Sequence, residues 1–181
     1  IDIDTKLTRQ LTFGDFDDSQ SSWSPDGRHV AFVSNRTEQP DQNRNTDIWL
    51  LDTTKANPEP QQLTFSPHQD ASPTWSRDGK HLAYTTAASS DLPIYAIPQL
   101  AILDIGSGET QLVKSLAEVQ VYNLVFSQNR SELLAITERQ GQQQLIRVDL
   151  ETHAVKQVIG QQDVVREFDE AADGQIYALV D

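Results

Sequence analysis

Residues 22 to 34 read SWSPDGRHVAFVS and residues 74 to 86 read TWSRDGKHLAYTT, a near-copy at an offset of 52. The match extends beyond both stretches. Leu11-Thr12-Phe13 maps onto Leu63-Thr64-Phe65, Asp18 onto Asp70, Trp23 onto Trp75, Asp26-Gly27 onto Asp78-Gly79 and Ala31 onto Ala83. So many coincidences at one offset mark an internal repeat. A repeat constrains the fold more than any single motif, because each unit is one supersecondary element that must stack on copies of itself to bury its faces.

Two more divergent copies follow. Residues 124 to 137, LVFSQNRSELLAIT, keep the aromatic and serine as Phe126-Ser127 but place Asn129-Arg130 where the first copies have Asp-Gly. Residues 167 to 180, EFDEAADGQIYALV, restore the turn as Asp173-Gly174 before Ile176-Tyr177-Ala178-Leu179-Val180. Asp-Gly between apolar stretches is a hairpin signal, since glycine accepts the positive φ that tight turns need.

The first unit predicts a strand carrying Trp23, then strands over 30–34, 47–52 and 61–65. The second predicts 73–76, 81–86, 100–105 and 110–114, with Gly106-Ser107-Gly108 turning the last pair. The third predicts 123–126, 132–137, 144–149 and 154–159, with a turn at Gln140-Gly141. No long amphipathic helix is read; 116–121 suits one short turn. Four strands at a period near 50 is the signature of a β-propeller blade. The expected architecture is therefore all-β: a partial β-propeller of about three and a half four-stranded antiparallel blades. The blades span about 20–65, 72–116 and 121–160, with a partial one at 165–181. Residues 6–13 are expected as the outer strand of a preceding blade. Closed propellers typically have about 4–8 blades. The chain also opens on Ile1 and contains no methionine. It is expected to be a piece of a longer chain, and an open blade edge is expected to favour self-association.

With 37% hydrophobic and 23% charged residues, the 181-residue chain has a globular composition. Its apolar runs are too short to span a bilayer, and no signal-peptide pattern is present. A formal net charge of −13 without a basic cluster disfavours nucleic acid and anionic membrane as partners. The absence of cysteine removes disulfides, thiolate catalysis and cysteine metal sites.

The pattern L-T-F, then D, then P-x-W-S-x-D-G-x-x-[VL]-A-[FY], then D-I-W-L-L-D resembles the WD40-like, or TolB-type, propeller repeat. That repeat is shared by the periplasmic TolB propellers and by the N-terminal propellers of prolyl oligopeptidase-family serine peptidases. The chain is more similar to the acylaminoacyl-peptidase and dipeptidyl-peptidase branch. Its loops are long and irregular (NRTEQPDQNRNTDIW), its repeats decay, and Tyr95-Ala96-Ile97-Pro98-Gln99-Leu100 leads into an apolar strand and a G-x-G-E turn. The resemblance implies a lid that admits short peptides to a separate C-terminal α/β-hydrolase domain. It also lends a periplasmic address. The nucleophile elbow G-x-S-x-G of such hydrolases has no match, because no two of the eight glycines are four apart. No catalytic, cofactor-binding or metal-binding residue is expected in this chain, and no substrate-binding residue carries over. The alternative implied is a TolB-like protein-interaction propeller. A propeller enzyme working at its own pore, such as a lyase, would need converging acidic groups and histidines that the sequence does not display.

Several residues have two readings. His29 and His81 follow the turns at equivalent positions and are read as structural, since a general base needs partners not displayed here. His68 and His153 sit in polar connections and are read as exposed. Asp15-Phe16-Asp17-Asp18 lacks the glycine and glutamate of a calcium loop, and the Asp18/Asp70 repetition favours turn capping. Gly106-x-Gly108 lacks the rest of a dinucleotide fingerprint. Asn35-Arg36-Thr37 matches a glycosylation sequon. Trp23, Trp75 and Phe126 are expected between blades; Trp49 lies on a strand read as partly exposed, where stacking on a ligand is the minor alternative to a structural role.

Overall fold

A computed structural model describes residues 6–87, 96–128, 131–139, 141–160 and 164–181. Three four-stranded antiparallel sheets and one two-stranded sheet follow one another along the chain. Blade one holds β1 (Asp18–Trp23), β2 (His29–Ser34), β3 (Asp47–Asp52) and β4 (Gln61–Gln62). Blade two holds β5 (Asp70–Trp75), β6 (His81–Thr86), β7 (Gln99–Asp104) and β8 (Thr110–Leu112). Blade three holds β9 (Gln120–Phe126), β10 (Glu132–Arg139), β11 (Gln142–Asp149) and β12 (Val155–Ile159). A half-blade of β13 (Val165–Glu170) and β14 (Ile176–Val180) follows.

Each sheet keeps chain order, so every connection is a hairpin-type neighbour step. In the first three sheets the first strand lies against the first strand of the next, β1 on β5 and β5 on β9, while β13 of the half-blade lies against β11. The sheets thus converge at their first strands like propeller blades. Middle strands are apolar at consecutive positions because both of their faces are buried. In β2, Ala31 and Val33 point into the first seam, where Ile48 joins them against Leu82, Tyr84, Ala101 and Leu103 of blade two. The second seam joins Ala83, Leu100 and Ile102 to Val121, Phe126 and Leu133. The third joins Leu134, Ile136 and Leu145 to Val165 and Phe168. Each fully buried leucine or isoleucine contributes roughly 1.5–3 kcal/mol, so the seams rather than the individual sheets hold the stack together.

Some boundaries differ from the sequence reading for identifiable reasons. Residues 6–13 form no strand; Arg9 instead donates to the carbonyls of Thr53 and Lys55 at the outer end of blade one. The fourth strand of blade one stops at Gln62 because side chains take over its ladder. Thr64 Oγ1 accepts the Ile48 amide at 2.9 Å, and the Ser66 amide donates to Asp47. In blade two, Lys114–Leu116 turns into a 3-10 helix, which shortens β8, and Gln120 and Val121, read as part of a turn, belong to β9. First strands begin earlier than their composition suggests, because each carries a bulge. Tyr95, Asn129-Arg130 and Gln140 lie outside the described residues. Trp75 and Phe126 pack in their seams as expected. Trp23 does not: it is 57% exposed, since no blade lies on its side of blade one among the described residues.

Candidate interaction surface

The repeated letters S-x-D-G build a self-contained turn. Ser24 Oγ donates to Asp26 Oδ1 at 2.5 Å and accepts the His29 amide at 2.9 Å, while Asp26 Oδ1 accepts the Arg28 amide. Blade two repeats this bond for bond with Ser76, Asp78, His81 and Lys80. Gly27 and Gly79 take φ +68° and +70°, which a side chain would resist. The Ser76 hydroxyl and the Lys80 amide hold the Asp78 carboxyl below the usual range, and those of Ser24 and Arg28 do the same for Asp26.

This turn brings serine, aspartate and histidine together, yet it is not a nucleophile with its base. The single O–H of Ser76 is given to the aspartate. The His81 ring lies 3.8 Å from Asp104, and the His29 ring 4.0 Å from Asp26. A hydroxyl whose proton is committed to a carboxylate is not activated for attack. His68 and His153, read as exposed, are half-buried.

Asp18 and Asp70 cap no turn, contrary to the sequence reading. Asp18 pairs with Arg36 at 3.1 Å, and Asp70 is fully buried in the first seam. The Arg36 guanidinium also stacks on Phe16, Phe32 and Trp49, at 4.8, 5.5 and 5.0 Å from the ring centroids. The stacking partner of Trp49 is therefore an internal arginine, and its indole N–H donates to the Ser34 carbonyl. The sequon asparagine is occupied within its loop, donating to Pro40 and Asn43 and accepting from Thr37.

The surface best placed to meet a partner is the row of first strands. β1, β5 and β9 are edge strands of their sheets, and an unguarded edge is a template for pairing. Each is interrupted by a bulge, at Ser19/Ser22, Ala71/Thr74 and in β9 opposite Leu134/Ile136. Each bulge puts one polar residue into the left-handed region: Gln20 at φ +49°, Ser72 at +56° and Asn123 at +57°. All three are exposed. Adjacent bulges are tied, with the Ser72 amide donating to Gln20 Oε1 at 2.6 Å. The Trp75 indole donates to the Ser22 carbonyl beside them at 3.1 Å. Bulges of this kind break continuous strand pairing and re-aim side chains. The result is a rim of amide and hydroxyl groups that can hydrogen-bond a neutral polar ligand such as a peptide backbone. At the turn end of the second seam lies an open groove of about 710 Å³, lined by Arg77, His81, Gln128 and Glu151 among others.

The rim was missed in the sequence, although its signal was there: a polar residue three positions before each Trp or Phe. Also missed was Glu170, which occupies the register position of Trp23, Trp75 and Phe126. Its carboxylate accepts the Ser127 hydroxyl at 2.9 Å and the Gln128 amide at 2.7 Å, tying the half-blade to blade three.

No protein-family model matches the chain, and no curated protein matches it by sequence. Solved structures do match. TolB from Acinetobacter baumannii superposes with a TM-score of 0.71 at 20% identity, over 97% of this chain and 41% of TolB. Puromycin hydrolase gives 0.71 at 18% identity, over 96% of this chain and 30% of its own. Dipeptidyl peptidase 4 of Porphyromonas gingivalis gives 0.60 at 17% identity, over 87% and 28%. The chain thus spans less than half the length of each. At these identities the likeness establishes the fold: a partial β-propeller, of the kind that TolB-type propellers and the N-terminal propellers of prolyl oligopeptidase-family enzymes share.

Proposed function

We propose that this chain is the non-catalytic propeller portion of a serine peptidase, where it limits access to a separate α/β-hydrolase domain and admits short peptides. The observation that carries the reading is the bulged first-strand rim. Gln20, Ser72 and Asn123 present neutral donors and acceptors at one level of successive blades, suited to touching a passing peptide without binding it tightly. The structural likeness to puromycin hydrolase and dipeptidyl peptidase 4 supports it. A second reading, a TolB-like propeller that binds partner proteins, is favoured by the match to TolB over 97% of the chain.

Labelling with a fluorophosphonate, which reacts with activated serines, separates the two. The peptidase reading expects the complete gene product to label and to cleave peptide anilides, and the isolated 181 residues to do neither. A complete product that neither labels nor cleaves points to the binding scaffold.

A further inference from the structure

The three seams share one construction, and one position in it breaks the pattern. In register, Asp70 of β5 corresponds to Val121 of β9 and Val165 of β13, facing Thr86, Thr137 and Val180 of the next strand. Asp47 of β3 likewise corresponds to Gln99 of β7 and Gln144 of β11. The second and third seams thus fill this slot with an amide and a valine. The first fills it with two carboxyl groups. The fold does not require acids there, because Val121 and Val165 are buried as Asp70 and Asp47 are.

Among the described residues, the surroundings are oxygen-rich and hold no cation. Gln62 Nε2 and the Ser66 amide donate to Asp47 at 2.9 and 3.1 Å. The Asp70 amide donates to the carbonyl of Thr46, next to Asp47, at 2.7 Å, and the Thr64 hydroxyl donates to Asp47 at 3.4 Å. Thr64, Thr86 and Ser66 lie beside Asp70, yet neither of its carboxylate oxygens has a hydrogen-bond partner. The equivalent Asp18 has Arg36. At the matching offset from Asp70 the sequence has Ala88. Among the described residues, Tyr84 on β6 also faces the pair, pushed up to about 12 by burial first and by the two aspartates after it. No basic side chain among the described residues offsets the burial of Asp70.

We propose that this slot binds one proton shared between Asp47 and Asp70, and that the proton makes the seam between blades one and two a pH-responsive joint. Two like charges in a dry slot cannot both ionise cheaply, so one carboxyl keeps its proton above the ordinary range. Burial raises Asp70, and burial together with the Asp70 charge raises Asp47 to about 6. A carboxyl whose folded pKa lies above its unfolded value holds more protons folded than unfolded. Stability from the pair is therefore greatest below the ordinary carboxylate range and falls as pH rises through about 6.

The test compares thermal unfolding of the 181-residue chain with its Asp70→Val variant, which installs the residue of the other seams, from about pH 4 to about pH 8. The lowered carboxyls, such as Asp78, act in the opposite direction but equally in both proteins, and burial still raises Asp47 in the variant, so the difference in Tm isolates Asp70 and its coupling to Asp47. The expected result is a wild-type Tm that drops by about 3–6 °C relative to the variant over that range. A constant difference overturns the proposal. So does a wild-type-specific Tm rise with millimolar calcium or magnesium at about pH 8, which would make the slot a metal site. Should Asp70→Val not fold, carbon-13 carboxyl titration of the wild type decides. An aspartate midpoint near 6 is expected, and all aspartates titrating near 4 overturns the proposal.

Discussion

Ser76 shows how much one hydroxyl can organise. It closes its turn from both sides, and it is buried. Ser76→Ala leaves the His81 amide and one side of Asp78 without that partner, and is expected to cost about 1–2 kcal/mol in urea unfolding. Asp78 has a lowered pKa because Ser76 donates to it. Its stabilising contribution is present above the ordinary aspartate value and is lost as pH falls below it, and the Ser76→Ala variant should show a weaker loss. Arg36→Lys keeps the charge but loses the planar stack on three rings, and is expected to cost about 1 kcal/mol or more. The turn was legible because the same letters occur twice and hydrogen-bond locally. Asp70 was not, because its match to Asp18 suggested a shared role, whereas the deciding partner, Arg36, is distant in sequence and lacks a copy.

At the scale of the elements, second and third strands could be read directly. HVAFVS, HLAYTT and DIWLLD are apolar at consecutive positions because they are buried on both faces. First strands were read short, since a bulge places Ser, Pro or Asn where a strand pattern wants alternation, and Pro73 fits only an edge strand. The fourth strand of blade one was read long, since apolar Phe65 continues the pattern after Thr64 has already diverted the ladder. The tie between the half-blade and blade three was invisible because it replaces an aromatic with Glu170. Removing it by Glu170→Ala should speed amide exchange in β13 and β14 while leaving blades one and two protected. Equal acceleration in all blades would show that Glu170 acts globally instead.

At the scale of the whole molecule, both ends of the stack present apolar surface. Trp23 is 57% exposed on blade one, and Tyr177 and Leu179 are 61% and 62% exposed on β14. Trp75, in the register of Trp23, shows what such a face accepts: another blade that offers a backbone carbonyl to the indole. We propose that the isolated chain self-associates through these faces. Sedimentation should show concentration-dependent oligomers that Trp23→Ser weakens; a monomer at high concentration, or an unaffected oligomer, opposes this. The blade count was legible from the repeat, whereas nothing in the repeat distinguishes a gate from a binding scaffold. The most direct measurement is turnover of a peptide series of rising length by the complete gene product. Gating by the propeller predicts cleavage of short peptides and a steep fall as substrates lengthen. Equal cleavage of short peptides and long polypeptides, or no cleavage of either, would contradict it.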